Sequence, residues 1–207
     1  MNYWDELMST DEGASVYMET YGEGVGSETR HTIGSFINDG ETVLDVGCGP
    51  GWNYDHFKKH GPIIEDYLGL DYSNRFVKVA NQRNNGKYKI GDVRNFGESD
   101  KSWDVVIMQD VLEHTNGYEK PMQEALRVAR KRIIVTFWRG QMRDDFENDD
   151  GENHIRDDGK DGFCGEYSRK AWEKYLDDLG YVWFETESSP EANRWHKFYI
   201  IDLEEPK

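Results

Sequence analysis

The feature that most constrains this chain is a short apolar run, Thr42 to Val46, that passes straight into Asp45-Val46-Gly47-Cys48-Gly49-Pro50-Gly51-Trp52. Glycines at alternate positions let the backbone turn sharply and approach a ligand closely. Asn53 to His60 then reads as a helix stopped by Gly61-Pro62. The turn therefore brings the free N–H groups of a helix N-terminus to the end of a strand.

From there strand and helix signals alternate. Tyr67-Leu68-Gly69-Leu70 reads as a second strand, and Ser73 can cap a helix running to Ala80. Tyr88-Lys89-Ile90 is a third strand and Trp103 to Met108 a fourth; a helix runs through Pro121 to Ala129, and Arg132 to Phe137 is a fifth strand. These strands are apolar throughout, the pattern of a parallel sheet covered on both faces. Beyond Phe137 the pattern changes. Residues 140–162 are acidic, glycine-containing and aperiodic; a helix follows over Ser168 to Leu179, ended by Gly180. Two aromatic-rich strands, Tyr181 to Glu187 and His196 to Leu203, close the chain. The Ser188-Ser189-Pro190-Glu191 link is too short for a crossover helix, so they are expected to form an antiparallel hairpin at one edge of the sheet. Residues 1–38 read as polar-aromatic helical material broken by glycines.

A length of 207 residues suits one α/β domain. The formal charge of −16 would repel a polyanion, so no nucleic-acid substrate is expected. The basic run Arg127 to Arg132 falls at a helix C-terminus, where cations complement the dipole. No stretch approaches the about 20 apolar residues of a membrane span. Met1 to Glu6 lacks the pattern of a secretory signal, and a cytoplasmic protein is expected. Cys48 and Cys164 match no metal or disulfide spacing. The acids from Asp144 to Asp161 fit no calcium-loop register at Gly151, Gly159 or Gly162, so they read as a solvated loop and no metal is expected.

Trp52 stands where a third glycine would complete the dinucleotide fingerprint, which argues against pyrophosphate there. Asp45 at the strand end is suited to receive a cationic amine. Asp71, at the tip of the second strand, can accept from a ribose diol while Tyr72 packs on adenine. The alternative is that Asp71 caps the next helix, a task Ser73 already fits. Asp92 could accept from an exocyclic amine, with Val93 offering its amide. These residues, and the segment Trp103 to His114, lie at strand carboxyl ends, where open α/β sheets bind ligands.

In this order, Val-Leu-Asp-Val-Gly-Cys-Gly-Pro-Gly, Gly-Leu-Asp-Tyr-Ser, Gly-Asp-Val and Asp-Val-Leu-Glu-His resemble the class I S-adenosylmethionine-dependent methyltransferases. The similarity is to the group that modifies ubiquinone and menaquinone precursors and many small molecules. It covers residues 40–137, and Tyr167 to Tyr181 resembles that group's last helix and following turn. The resemblance implies a Rossmann-like α/β fold, a seven-stranded mostly parallel sheet with strand seven antiparallel and helices on both faces. It implies S-adenosyl-L-methionine as cofactor and S-adenosyl-L-homocysteine as product. Asp45, Gly47 and Gly49 would take the methionine end, with Val46, Cys48 and Gly51 in the same loop. Asp71 would bind the ribose, Tyr72, Asp92 and Val93 the adenine, and Gln109 would lie beside the sulfonium.

The chain then divides into a lid (1–38), a cofactor-binding core (40–137), an acidic acceptor-side insertion (138–166) and a last helix with terminal hairpin (167–207), all one domain. Arg30 in the lid would pair with the cofactor carboxylate. Tyr17 and Tyr21 would cover the methyl, with Tyr21 a catalytic candidate, although their helical spacing also fits ordinary packing for at least one. His114 is the candidate base, or else orders its loop or touches cofactor alone. Trp138 and His154 would face a small-molecule acceptor. The rival functions are a non-catalytic cofactor-binding partner and an NAD-linked oxidoreductase, the latter opposed by Trp52 and the terminal hairpin.

Overall fold

The computed structural model describes residues 6, 9–10, 17, 22, 26–138, 142–143, 154–157, 163–187 and 196–206. β1 (Val43–Val46) is buried at every position, as a central strand covered on both faces has to be. β2 (Tyr67–Asp71) and β4 (Trp103–Gln109) flank it in parallel, β3 (Tyr88–Ile90) lies outside β2, and β5 (Ala129–Trp138) outside β4. β10 (His196–Pro206) pairs antiparallel with β5 and with β9 (Tyr181–Glu187), which gives the order β3-β2-β1-β4-β5-β10-β9. The terminal hairpin thus sits at one edge, as its short link requires.

Helices α1 (Ser27–Ser35), α2 (Trp52–His60) and α3 (Asn74–Asn84) cover one face, where Ile33, Phe57 and Val77 meet Val43, Ile107 and Ile134. α4 (Glu119–Val128) and α5 (Arg169–Asp178) cover the other, with Met122, Ala125, Trp172 and Leu176 against Leu44, Val106, Ile133 and Tyr199. Ser73 caps α3 through the Phe76 amide, at 3.2 Å.

Two stretches differ from the pattern read off the residues. β5 begins at Ala129 rather than Arg132 because its charged start is satisfied locally. Arg130 Nε lies 3.0 Å from Asp104 Oδ1, and Arg132 Nη1 donates to the Phe36 carbonyl at 2.7 Å. Arg127 donates to Glu124 and Asp100, so the basic run is structural. The acidic stretch, expected to be aperiodic, contains β6 (Met142–Arg143) and β7 (His154–Asp157), which form a sheet with β8 (Phe163–Ser168) just beyond it, in the order β6-β8-β7. Tyr167 belongs to β8 rather than to the last helix, and Ser168 caps α5 by accepting from the Ala171 amide at 3.3 Å. Among the described residues no helix is long and apolar enough to cross a membrane.

Candidate cofactor and acceptor site

The glycine turn joins β1 to α2 in a conformation that its sequence demands. Gly47, Gly49 and Gly51 have φ of 74°, 53° and 86°, left-handed values that a side chain would strain. At Gly47 an added Cβ would stand 2.3 Å from Val111 Cγ2, so space forbids it as well. The Gly47 and Cys48 amides donate to the Leu70 carbonyl at 2.7 and 3.0 Å, and the Gly49 amide donates to Asp71 Oδ2 at 2.8 Å. The tip of β2 therefore holds the turn. Asp71 also accepts from the Ser73 amide at 2.8 Å, so it braces loop and helix start together.

Asp45 is buried beside this turn. Its Oδ2 accepts from the Tyr67 hydroxyl at 2.5 Å and from Asn53 Nδ2 at 3.1 Å. Among the described residues Oδ1 has no hydrogen-bond partner. Burial lifts the carboxyl to about 7; the Tyr67 and Asn53 hydrogen bonds oppose that, Asp71 adds to it, and Arg30 counters it in turn. The buried Arg30 guanidinium lies 5.5 Å over the Trp52 ring. Tyr17 stacks on Trp52 at 5.7 Å and packs tilted against Phe76 at 4.9 Å, so it packs as an ordinary aromatic. Its hydroxyl is 3.6 Å from where a Gly49 Cβ would be, so it also covers the turn. A buried carboxylate oxygen with no partner among the described residues suits a ligand with a cationic amine, such as the amino-acid end of S-adenosylmethionine.

Beyond β2, Tyr72, Ile90, Gly91, Asp92 and Phe96 line an open cavity of about 410 Å³. Tyr72 and Ile90 are exposed, the condition for stacking on a flat ligand. Asp92 differs from expectation in one respect. Arg94 holds its carboxylate with Nε at 2.9 Å and Nη2 at 2.8 Å, and these hydrogen bonds keep its pKa low. Val93 packs at the margin of the core.

The tip of β4 carries Gln109 and then Asp110, whose φ of 53° is left-handed for a residue with a side chain. His196 Nε2 lies 2.9 Å from Asp110 Oδ2, and Thr136 Oγ1 donates to Asp110 Oδ1 at 2.9 Å. The other ring nitrogen of His196 is 3.0 Å from Thr29 Oγ1 on α1. Burial would raise the Asp110 carboxyl, but His196, Thr136 and Gln109 together hold it below the usual carboxylate range. Next in the chain is the 3-10 turn Leu112–His114. Tyr167 donates to the Leu112 carbonyl and, at 3.1 Å, to that of Thr115, pinning the turn that carries the half-buried His114. Trp138, half exposed at the end of β5, is the register partner of His196.

The structure brings together Asp45, Val46, Gly47, Cys48, Gly49, Gly51, Asp71 and Arg30 at one end, and Gln109 and Trp138 at the other. Tyr21 lies outside the described residues. His154 is described only through its backbone, paired with Glu166 of β8. Sequence reasoning missed Asp110, Thr136, His196, Thr29 and Tyr167. Asp110 stood between residues already singled out, but its left-handed backbone leaves no trace in composition.

The strand order, the left-handed glycine turn at the β1 tip and the acid at the β2 tip define a class I methyltransferase architecture. Residues 44–136 match the methyltransferase domain family. A ubiquinone biosynthesis O-methyltransferase of Coxiella burnetii is 32% identical over 80 residues, 36% of this chain. Relatives of this kind are longer: the shared stretch is 33% of the Coxiella enzyme and 36% of a Streptomyces fradiae protein. The magnesium protoporphyrin IX methyltransferase of Synechocystis, solved with bound S-adenosylmethionine, has a TM-score of 0.63 at 18% identity, covering 97% of this chain and 89% of that one. A chain from the complex of the Haloferax volcanii Trm112 methyltransferase activator with a putative methyltransferase has a TM-score of 0.70 at 13% identity, covering 95% and 97%.

Proposed function

We propose that this chain transfers the sulfonium methyl of S-adenosylmethionine to a small-molecule acceptor and releases S-adenosylhomocysteine. The observation that carries the reading is the junction of the β1 and β2 tips. There the Gly49 amide sits on the Asp71 carboxylate, between left-handed glycines and beside the unpartnered Oδ1 of Asp45.

Bound S-adenosylmethionine supplies an activated methyl, so the chain has mainly to align a nucleophile with it. Asp45 and the turn Val46 to Gly51 hold the amino-acid end, and Arg30 pairs with its carboxylate. Asp71 accepts from the ribose diol, and Tyr72 and Val93 lie along the adenine. Asp92, committed to Arg94, contributes there chiefly by fixing its loop. Gln109 borders the methyl. His114 accepts a proton from an acceptor that carries one, and Trp138, His154 and the N-terminal tyrosines Tyr17 and Tyr21 frame the acceptor. The charge of −16 supports a small molecule over a nucleic acid.

Calorimetric titration with S-adenosylhomocysteine tests the cofactor half, and transfer of labelled methyl across a panel of small acceptors tests the rest. Binding followed by transfer is expected. Binding without any transfer would favour a non-catalytic cofactor-binding protein, and tighter binding of a nicotinamide dinucleotide would overturn the reading.

A further inference from the structure

Asp110 is held by an unusual amount of buried structure for a group that solvent reaches. Its side chain is 30% exposed, whereas His196, Thr136 and Thr29 around it are 3%, 0% and 1% exposed. His196 lies on Oδ2, Thr136 donates to Oδ1, and the Asp110 amide itself donates to Thr136 Oγ1 at 3.2 Å. The left-handed backbone at Asp110 is fixed by this frame. A carboxylate that already accepts several hydrogen bonds is a weak proton acceptor, but it retains both its charge and an open lone-pair position. Such a group suits the binding of a cation better than the removal of a proton.

A second feature adjoins it. Glu113, 3% exposed, accepts from the Trp138 amide at 3.4 Å through Oε1, while Oε2 has no partner among the described residues. Burial, with Asp110 beside it, pushes the Glu113 carboxyl well up, opposite to the shift at Asp110. Two carboxyl groups driven apart in this way mark a place where their environments have been set for different tasks. Trp138, half exposed, meets Glu113 through its amide and is the register partner of His196, the residue that holds Asp110, and aromatic surface near a carboxylate favours a cation. The charge of −16 disfavours an anionic acceptor at the same mouth.

We propose that Asp110 receives a protonated amine of the acceptor beside Trp138, with His196 and Thr136 as the residues that position it. The inference rests on the methyltransferase reading and specifies its acceptor end. The test uses the whole isotope-labelled chain saturated with S-adenosylhomocysteine. Tyramine and ethanolamine are titrated by NMR against their neutral counterparts, tyrosol and ethylene glycol. The amines should shift the Asp110 amide and Trp138 indole signals saturably, and the alcohols should not.

Asp110→Asn, nearly isosteric, should weaken the amine response by about tenfold and leave S-adenosylhomocysteine affinity unchanged. His196→Phe should reproduce that loss, and His196→Gln, whose amide can still donate to Asp110, should restore the response. Equal shifts from amines and alcohols, no amine response, or full amine binding by Asp110→Asn would each overturn the assignment of Asp110. Failure of the Gln variant to restore the response would overturn the role of His196. Failure of S-adenosylhomocysteine to bind would instead bring down the methyltransferase reading, and it is seen before any amine is added.

Discussion

The two ends of this site are assembled from the chain in opposite ways. At the cofactor end, the turn Gly47 to Gly51 is one continuous stretch, and its brace, Asp71, contacts Gly49 across only 22 residues. At the acceptor end, Thr29 and His196 meet across 167 residues, His196 and Asp110 across 86, and Thr136 and Asp110 across 26. The first end is a backbone conformation, and the second is a network of side chains. A backbone conformation with positive φ restricts which residues can stand there. A polar network asks only that each buried group find a partner.

The sharpest way to break that contrast is at Gly47, where the two ends touch. An alanine there would hold a left-handed backbone and drive its Cβ to 2.3 Å from Val111 Cγ2, on the turn that leads to the acceptor end. The left-handed backbone costs about 1–2 kcal/mol and the overpacking about 1–3 kcal/mol. Gly47→Ala should therefore lose roughly 2–5 kcal/mol in urea unfolding and most of its S-adenosylhomocysteine binding. A loss of less than about 1 kcal/mol would mean that the turn yields easily and that its glycines are not a steric requirement.

Asp71→Ala separates the ends. Removing charge-assisted hydrogen bonds to a ribose should weaken S-adenosylhomocysteine binding by about 1.5–3 kcal/mol in calorimetry. The same titration on Asp110→Asn should show no change, although both are carboxylates at the tips of the two strands that flank β1. Equal losses in the two variants would erase the division proposed here, and an unchanged Asp71→Ala would remove the ribose assignment.

This division also sets what could be read from the residues. The parallel core was legible because β1, β2 and β4 are apolar on both faces, and the hairpin because the link after Glu187 is too short for a crossover. The glycine turn and the start of α3 were legible because those glycines are steric requirements and Ser73 is a local cap. The start of β5 was hidden because Arg130 and Arg132 look like a solvent run until Asp104 and the Phe36 carbonyl are seen beside them. The strands in the acidic stretch were hidden because they pair with one another rather than with the main sheet. His196 opened the last strand without any local signal, since Asp110 and Thr29, which its ring nitrogens meet, are 86 and 167 residues away.

A finer test uses pH at Asp45. Burial raises its carboxyl from 3.8 in the unfolded chain to about 7. The folded chain thus keeps a proton that the unfolded chain has released. This group's contribution to stability is complete below 3.8 and is lost as pH rises through about 7. Pairing with the ammonium of S-adenosylhomocysteine needs the ionised form and should show the opposite trend. Affinity should rise as pH rises toward 7, by up to about 1.4 kcal/mol per pH unit well below it, and level off above. Asp45→Asn should bind more weakly at pH 8 and with a flattened profile. A wild-type profile that is already flat would mean that Asp45 does not meet the charge of the cofactor.

The smallest effect is expected at Tyr167, and it bears on whether the acceptor end depends on the small second sheet. The Tyr167 hydroxyl bridges the Leu112 and Thr115 carbonyls. Leu112 O also accepts from Thr115 Oγ1 at 2.7 Å and from the Thr115 amide at 3.0 Å, so Tyr167→Phe leaves that carbonyl satisfied. The stability cost should be only about 1 kcal/mol, read from the thermal midpoint. No residue of the glycine turn bonds to Tyr167 among the described residues, so S-adenosylhomocysteine affinity should stay at the wild-type value. The turn carrying His114 would lose its tie to β8, and methyl transfer should fall more than cofactor affinity does. If affinity fell in step with transfer, the two ends would be one cooperative unit, and the contrast between motif and network would describe how the site is encoded rather than how it works.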